Sequence, residues 1–226
     1  MVRLKIATLL LVCAAFARTH AQDFELTIVH TNDVHARVEP VMVSGRPLGG
    51  YARVATAIKQ LRESAKNSIL LNAGDTFQGT LYFNQYAGLA DAHLMNLIGY
   101  QAMALGNHEF DRGPAALSAF AKVAQFPLLA ANLDLTGEPS LKDDVQPSTV
   151  IEVGGQKVGV VGAITEDLVE ISSPGPTVKL KKVVPTVQAE VDRLAKQGIN
   201  KIVLLSHCGY DIDLQLAKQL NGVDVI

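Results

Sequence analysis

Apolar residues along the chain follow two alternating patterns. Residues 68–73 form a short, nearly continuous apolar run, which is typical of a strand buried on both faces of a parallel sheet. Residues 51–63 instead place Val54, Ile58 and Leu61 at helical spacing. The first pattern predicts strands at 24–30, 68–73, 102–105, 127–131, 201–205 and 223–226. The second predicts helices at 51–63, 87–98, 114–123, 185–197 and 211–220.

A hairpin interrupts this alternation. Gly154-Gly155-Gln156 separates the apolar segments 150–153 and 157–162, and a glycine pair between two such segments favours a tight turn. Elsewhere strands alternate with helices, which predicts an α/β fold with a mainly parallel sheet covered on both faces. No internal repeat or linker divides residues 22–226, so the pattern indicates a single folding unit after the leader.

The first 21 residues have the pattern of a secretory signal peptide. A basic start precedes an apolar run at 6–16, and small residues lead to a boundary after Ala21. The run is shorter than the roughly 20 residues that span a bilayer, so we expect no transmembrane segment. Removing the leader takes away three basic side chains and changes the formal charge from −2 to −5. That balance argues against nucleic acid as a partner, because phosphate backbones favour clustered Lys and Arg.

Polar side chains follow several predicted strands at the point where each strand ends. The carboxyl ends of parallel strands are where ligands bind in such sheets. Carboxylate, amide and imidazole donors suit Zn, Mn, Fe or similar divalent ions. Five donors are too many for one tetrahedral site, and a shared carboxylate indicates two ions about 3.5–4 Å apart that clamp a phosphoryl group. The donors are Asp33, His35, Asp75, Asn107 and His207.

Other polar candidates have simpler interpretations. His30 precedes the first cluster and is expected to be structural, whereas His93 lies on a helical pattern and is expected to pack or to face water. Cys208 follows a candidate ligand, but a buried small side chain is favoured over a soft metal donor. It is the single thiol once the leader is removed, so no internal disulfide is expected.

Four motifs in this order carry a family resemblance. They are Asp33-x-His35, Gly74-Asp75, Gly106-Asn107-His108-Glu109 and Ser206-His207-Cys208-Gly209. Together they resemble the dinuclear metallophosphatase superfamily, which implies a metallophosphatase-type α/β sandwich over residues 24–226. The flanking segments 28–35 and 106–113 are more similar still to secreted and cell-surface 5′-nucleotidases, including the apyrases.

The resemblance implies a role for each candidate residue. His108 would face the substrate phosphate, and Asp111 would hold its imidazole, which favours the charged form. The implied metal ligands are Asp33 and His35 for the first ion, Asp75 as the bridge, and Asn107 and His207 for the second ion.

The same resemblance implies the reaction and its setting. We expect a phosphohydrolase that uses two divalent metal ions, with Zn favoured over Mn, Ca or Mg, and that acts on AMP, ADP or ATP. The leader indicates a secreted or cell-surface location. Related reactions stay open, namely 2′,3′-cyclic phosphodiesterase and UDP-sugar hydrolase activity.

One departure from the family affects the expected activity. Relatives continue past the strand predicted at 223–226 into a Gly-Gly-His-Ser-His/Asn motif with further metal ligands, and then into a C-terminal nucleotide-binding domain. Residues 22–226 are therefore expected to be the N-terminal part of a truncated metallophosphatase domain, with weak or no turnover alone. A non-catalytic nucleotide or metal binder and an incomplete gene product are the alternatives.

Overall fold

The computed structural model describes residues 23–226, and the predicted leader at 1–21 lies outside the described residues. Helices within the described part begin and end close to polar or glycine residues that interrupt the apolar spacing. They are α1 (Tyr51–Ser64), α2 (Leu81–Tyr86), α3 (Leu89–Ile98), α4 (Gly113–Val123), α5 (Leu168–Ile171), α6 (Val183–Lys196) and α7 (Tyr210–Gln219), with a 3₁₀ turn at His108–Phe110.

The strands are short, and the longest, β10, has nine residues. They are β1 (Thr27–Thr31), β2 (Val41–Val43), β3 (Arg46–Leu48), β4 (Ser68–Asn72), β5 (Ala102–Ala104), β6 (Leu128–Leu129), β7 (Leu133–Asp134), β8 (Val145–Gln146), β9 (Ser148–Val153), β10 (Gln156–Ile164), β11 (Lys179–Leu180) and β12 (Ile202–His207).

Two sheets form the framework. The first has the strand order β1-β4-β5-β6-β8, and all of its neighbouring pairs are parallel. The second has the order β12-β10-β9, in which β12 pairs parallel to β10 and β9 pairs antiparallel through the hairpin. Two short ribbons, β2-β3 and β7-β11, complete the strand pairing.

The sheets pack face to face, and helices cover the outer faces. Between the sheets, Ile69 and Leu71 of β4 share one apolar cluster with Val158 and Val160 of β10 and with Leu205 of β12. The outer face of the first sheet forms a larger core with α1, α3 and α4, and the outer face of the second sheet packs on α6 and α7. Burial of these apolar faces is the main stabilising contribution.

This arrangement confirms the predicted α/β sandwich with a mainly parallel sheet. Within the sandwich, one face of the parallel sheet packs against the second sheet and the other face packs against helices. The hairpin predicted around Gly154-Gly155 is present as β9 and β10, with both glycines at positive φ. Helices predicted at 51–63 and 114–123 agree with the observed bounds to within one residue.

Several element bounds were predicted wrongly. The helix predicted at 87–98 begins at Leu89, because Ala87 and Gly88 are both left-handed and separate it from α2. The strand predicted at 127–131 is only two residues long, and segment 223–226 forms a single bridge between Val225 and Val203 instead of a strand. The β2-β3 ribbon lies at residues 41–48, where neither apolar pattern predicts a strand because Gly45 and Pro47 interrupt the segment.

None of the helices in residues 23–226 has the combination of length and apolar character that crossing a membrane requires.

Candidate metal centre

Two neighbouring strands carry the first candidate residues to one point. β1 and β4 are parallel partners that end in register at Thr31 and Asn72, so the loops that follow them run side by side. Backbone hydrogen bonds join these loops: the N–H of Asp33 donates to Gly74 O at 3.0 Å, and the N–H of His35 donates to Asp75 O at 3.1 Å. This pairing places the Asp33-x-His35 motif beside Asp75.

The backbone of these loops is unusual. Seven non-glycine residues in the described part of the chain have positive φ, and five of them lie in loops 33–36 and 75–78. Side chains rarely adopt that conformation, and each instance costs on the order of 1 kcal/mol or more. Strain of this kind concentrates where a side chain must be aimed in a fixed direction. Here it includes Asp33, His35 and Asp75 themselves.

Three imidazoles converge on a single carboxylate oxygen. Oδ2 of Asp75 lies 3.3 Å from Nε2 of His207, 3.9 Å from Nε2 of His35 and 3.9 Å from Nε2 of His108. Asp75 is buried, and His207 reaches it from β12 of the second sheet. Asp33 is more exposed, with its Oδ1 3.7 Å from Nε2 of His35. The tertiary fold thus gathers groups from four separate segments around Asp75.

The other ring nitrogen of each histidine has an oxygen partner. Nδ1 of His35 donates to Phe77 O at 2.9 Å, Nδ1 of His207 donates to Ala73 O at 2.6 Å, and Nδ1 of His108 bonds Asp111 Oδ2 at 2.6 Å. These partners favour the Nδ1–H tautomer and leave the Nε2 lone pairs directed at Asp75. Lone pairs facing a carboxylate repel it unless a proton or a metal ion lies between them.

Burial and neighbouring charged groups together set the pKa values of Asp75, His207 and His108. Burial would raise the pKa of Asp75, but His207 and His108 together lower it below its usual value. Burial would lower the pKa of His207, yet the hydrogen bond and charge of Asp75 raise it to about 9. The pKa of His108 is also raised, because Asp111 and Asp75 outweigh its partial burial. The centre therefore favours positive charge around Asp75.

The donor set fits divalent metal ions. Two groups of ligand atoms lie within 4.8 Å of one another among the described residues: Asp33, Asp75 and His207 form one, and His35, Asp75 and His108 form the other. Asp75 belongs to both, as a bridging carboxylate must. Oxygen and imidazole donors with Nδ1 held by oxygen acceptors are the usual ligands of Zn and similar ions.

This grouping differs from the predicted ligand assignment in two respects, since it places Asp33 with His207 instead of with His35, and it includes His108. The geometry places His108 near enough to Asp75 and His35 to be a ligand, whereas the sequence resemblance implies that it faces the substrate. Asn107 is half-buried and stands between Gly106 and His108, whose backbone N–H donates to Asp75 Oδ1 at 3.0 Å. The Asn107 backbone thus lies next to the residue that bonds the shared carboxylate, and the ligand role of the Asn107 side chain stays a prediction.

Sequence inspection missed the role of Glu109. Its fully buried carboxylate accepts four backbone N–H groups: those of Gly106 and Asp75 at Oε2 (2.7 and 2.9 Å), and those of Thr76 and Phe77 at Oε1 (2.7 and 3.1 Å). Burial raises its pKa and the charge of Asp75 adds to that, while these N–H groups oppose it. The available signal was its position within the Gly106–Glu109 motif.

Two glycines permit the close approach of these loops. A methyl group on Gly106 would lie 2.2 Å from Oδ1 of Asp75, and one on Gly74 would lie 2.6 Å from the backbone N of Gly106 and 2.8 Å from Nδ1 of His207. No side chain fits at either position. The loops that follow β4 and β5 therefore touch backbone to backbone.

The remaining sequence candidates lie outside this centre. His93 is exposed on α3, and His30 is exposed on β1. Cys208 is half-buried and packs against the apolar cluster that includes α6, and burial raises the pKa of its thiol to about 11, so it is a partly buried small side chain and not the buried one that was expected. It is the only free cysteine in the described part of the chain.

A cleft opens beside the centre. It has a volume of about 680 Å³ and is lined by Asp33, Asn32, His207 and Tyr210, with apolar residues of β4 and β12 behind them. A second groove of about 720 Å³ lies between α1 and α3, but none of the candidate site residues lines it. The first cleft is therefore the one that gives a ligand access to Asp33 and His207.

Comparisons with known proteins identify the family of the chain. Residues 26–226 match the family of calcineurin-like phosphoesterases. The sequence is 48% identical over 229 residues to a 5′-nucleotidase of Diplobatis ommata, with 97% of this chain and 39% of that protein covered.

Solved structures have the same fold. A 5′-nucleotidase precursor from Thermus thermophilus superimposes with a TM-score of 0.86 at 51% identity, covering 88% of this chain and 40% of that one. The NAD nucleotidase of Haemophilus influenzae gives a TM-score of 0.81 at 36% identity, covering 88% and 37%. The chain thus spans about 40% of the length of these relatives.

Proposed function

Because the chain belongs to the calcineurin-like phosphoesterase family, we propose that it supplies the metal-binding part of a phosphohydrolase that acts on extracellular nucleotides. The observation that carries this proposal is the convergence of three Nε2 atoms on Asp75 Oδ2. Each ring donates a hydrogen bond from its other nitrogen, Nδ1, to an oxygen acceptor, which leaves each Nε2 directed at Asp75 and available to a cation.

Each side chain has a proposed role. His108 faces the phosphate with its Nε2, holds positive charge there and passes a proton to the leaving group, while Asp111 keeps its imidazole in place. Divalent ions, when bound, neutralise phosphoryl charge and activate water. The ligands are Asp33 and His35 for one ion, Asp75 between the two, and Asn107 and His207 for the other.

Nucleotides are the proposed substrate class. The relatives with high identity are named 5′-nucleotidases, and one solved neighbour is named an NAD nucleotidase. Phosphate esters are anionic, and this chain has a formal charge of −2, or −5 without its leader. Bound cations are then the local positive charge that attracts the substrate. AMP, ADP and ATP are the first candidates, with NAD a further one.

The cellular location is proposed from the leader pattern. Residues 1–21 would direct secretion, and residues 22–226 would form the N-terminal part of the catalytic domain of a secreted or cell-surface protein. Zn is the proposed metal because two or three of the ligands at each ion are imidazole or carboxylate and thiolate is not required. Mn, Ca and Mg are the alternatives.

Phosphate release from a substrate panel tests the proposal. The full product of the gene that encodes this chain is stripped of metal with a chelator and reloaded separately with Zn, Mn, Ca or Mg. AMP, ADP, ATP, NAD, 2′,3′-cyclic AMP and UDP-glucose are then compared. We expect hydrolysis of at least one 5′-nucleotide that disappears on chelation and returns with a divalent ion.

Matched variants make the test specific. Asp75→Asn should abolish turnover, since it removes the shared charge of the centre. His93→Ala changes an exposed histidine on α3 and should behave as wild type. If the protein hydrolyses only 2′,3′-cyclic AMP or UDP-glucose in a metal-dependent way, one of the related reactions replaces the nucleotidase proposal. Turnover that Asp75→Asn does not change would refute the proposed centre.

A further inference from the structure

Asp111 makes more contacts than its bond to His108 requires. Its Oδ2 accepts from Nδ1 of His108 at 2.6 Å and from Nε2 of Gln78 at 3.0 Å, while its Oδ1 accepts from Oγ of Ser172 at 2.9 Å. Gln78 and Ser172 belong to segments 33 and 61 residues away along the chain. Both carboxylate oxygens are therefore held by donors from outside the turn that carries Asp111.

We propose that Gln78 and Ser172 are positioning residues that act through Asp111 to hold the His108 imidazole in its catalytic orientation. This inference rests on the proposed function. A carboxylate held only by one imidazole can rotate about its side-chain torsions and take the ring with it. Two further donors, one at each oxygen, remove that freedom and fix the direction of His108 Nε2.

The backbone conformation at Gln78 indicates that the side chain of this residue has a role. Gln78 is exposed, so it has no packing role, yet it is held at φ 78°, where glycine is the favoured residue. Its amide is engaged at both ends, because Oε1 also accepts from the N–H of Gly79 at 3.3 Å. A strained, exposed glutamine whose amide reaches Asp111 is explained by that contact.

The backbone of Ser172 is also held in place by its surroundings. It follows α5 in an extended conformation, and its backbone N–H donates to Leu168 O at 3.0 Å. Leu168 is fully buried in the main core. The hydroxyl is thus carried by a segment anchored in the core, and it restrains Asp111 through the oxygen that Gln78 does not contact.

Steady-state kinetics of the full gene product test the role of Ser172. Ser172→Ala is expected to lower kcat for the best nucleotide substrate by roughly tenfold. KM should stay within about twofold, because the metal and phosphate contacts remain. Bound metal should not change. Ser172→Thr keeps the hydroxyl and should restore most of kcat, and Ser173→Ala, at an exposed neighbour outside these contacts, should match wild type.

Gln78→Gly separates positioning from stability. It removes the contact to Asp111 and also relieves the positive φ, so kcat should fall by roughly tenfold without a lower melting temperature. Ser44→Gly relieves a comparable positive φ in the β2-β3 turn and should leave kcat unchanged. A drop in kcat that tracked lost stability would assign Gln78 a structural role instead.

Double variants test whether Gln78 and Ser172 act through Asp111. In an Asp111→Asn background, Ser172→Ala and Gln78→Gly should each cost less than about twofold, because the group they act on is already altered. Full effects in that background, or wild-type kcat in both single variants, would overturn the inference.

A spectroscopic measurement keeps the two proposals distinguishable. The Nδ1–H proton of His108 in ¹⁵N-histidine-labelled, metal-loaded protein should resonate far downfield because of its short bond to Asp111, and it should move upfield or broaden in both variants. If wild type releases no phosphate from any substrate, the proposed function fails while this signal still decides positioning. An unmoved resonance in both variants would contradict the inference.

Discussion

The buried carboxylate of Glu109 accepts a hydrogen bond of 2.9 Å from the backbone N–H of Asp75. The same oxygen accepts the N–H of Gly106 at 2.7 Å, so one side chain ties the loop after β4 to the loop after β5. This connection fixes the backbone of Asp75, and the Asp75 carboxylate in turn accepts the backbone N–H of His108 at 3.0 Å. Glu109 thus supports the centre through the backbone, and it is not among the candidate metal ligands.

Glu109→Gln should destabilise the protein and weaken metal binding. The amide can accept at only one of its two terminal atoms, so about two of the four backbone N–H groups lose their partner, at a cost of roughly 2–4 kcal/mol. Denaturant unfolding measures the loss, and Glu170→Gln, on the exposed side of α5, should change stability by less than about 0.5 kcal/mol. Equal unfolding midpoints for the two variants would show that the hydrogen bonds to Glu109 contribute nothing to stability.

Gly106→Ala should reduce both metal affinity and folding stability, because its methyl group would lie 2.6 Å from the backbone N of Asp75. The same methyl group would lie 2.2 Å from Oδ1 of Asp75, so the carboxylate must shift away from His207 and His35. Displacing a ligand in this way lowers metal affinity by roughly 10- to 100-fold, which titration calorimetry with Zn would detect. Gly155→Ala meets no atom within 4 Å, and although its positive φ strains an alanine there, it should leave Zn affinity unchanged and serves as the control for that measurement. Unchanged Zn affinity in Gly106→Ala would mean that Asp75 does not need its present position.

His207→Ala and His108→Ala should differ in metal content. Loss of His207 removes a proposed ligand, so bound metal should fall from about two ions towards one. Loss of His108 should leave the metal in place and lower kcat by roughly 10²–10⁴-fold, as expected for a general acid. Elemental analysis beside kinetics separates the two, with His93→Ala as the control. Metal loss in His108→Ala would place it among the ligands, with His35 and Asp75.

Asp91 should make stability depend on pH. It is buried on α3, and burial raises its pKa from 3.8 to about 7, an effect that the facing Tyr51 hydroxyl offsets only in part. The folded protein therefore holds a proton that the unfolded chain releases. This contribution is complete below about pH 4 and is lost as the pH rises through about 7.

Asp91→Asn mimics the protonated acid at every pH. It should be close to wild type at pH 4, begin to exceed it by pH 5, and exceed it near pH 8 by up to roughly 4 kcal/mol. Urea unfolding at both pH values measures the difference, and Asp143→Asn, at an exposed position, should show no such trend. A stability difference that is the same at both pH values would exclude Asp91 as the titrating group.

The amino-acid sequence determined the features that depend on local spacing. Continuous apolar runs such as 68–73 predicted buried strands, and the helical spacing at 51–63 predicted α1, because period and composition are properties of neighbouring residues. The position of polar residues at strand ends predicted that Asp33 and Asp75 would meet. Parallel strands require that meeting, and the register of β1 with β4 realises it.

Tertiary structure alone decided how distant segments combine. The division of the strands into two sheets, which lets His207 approach Asp75 from β12, depends on packing between faces that local periodicity does not distinguish. The contacts of Glu109, Gln78 and Ser172 join segments 33 to 61 residues apart, and no spacing rule predicts them. Local patterns identify which groups are present, whereas the fold sets their distances, and distance and burial determine their chemistry.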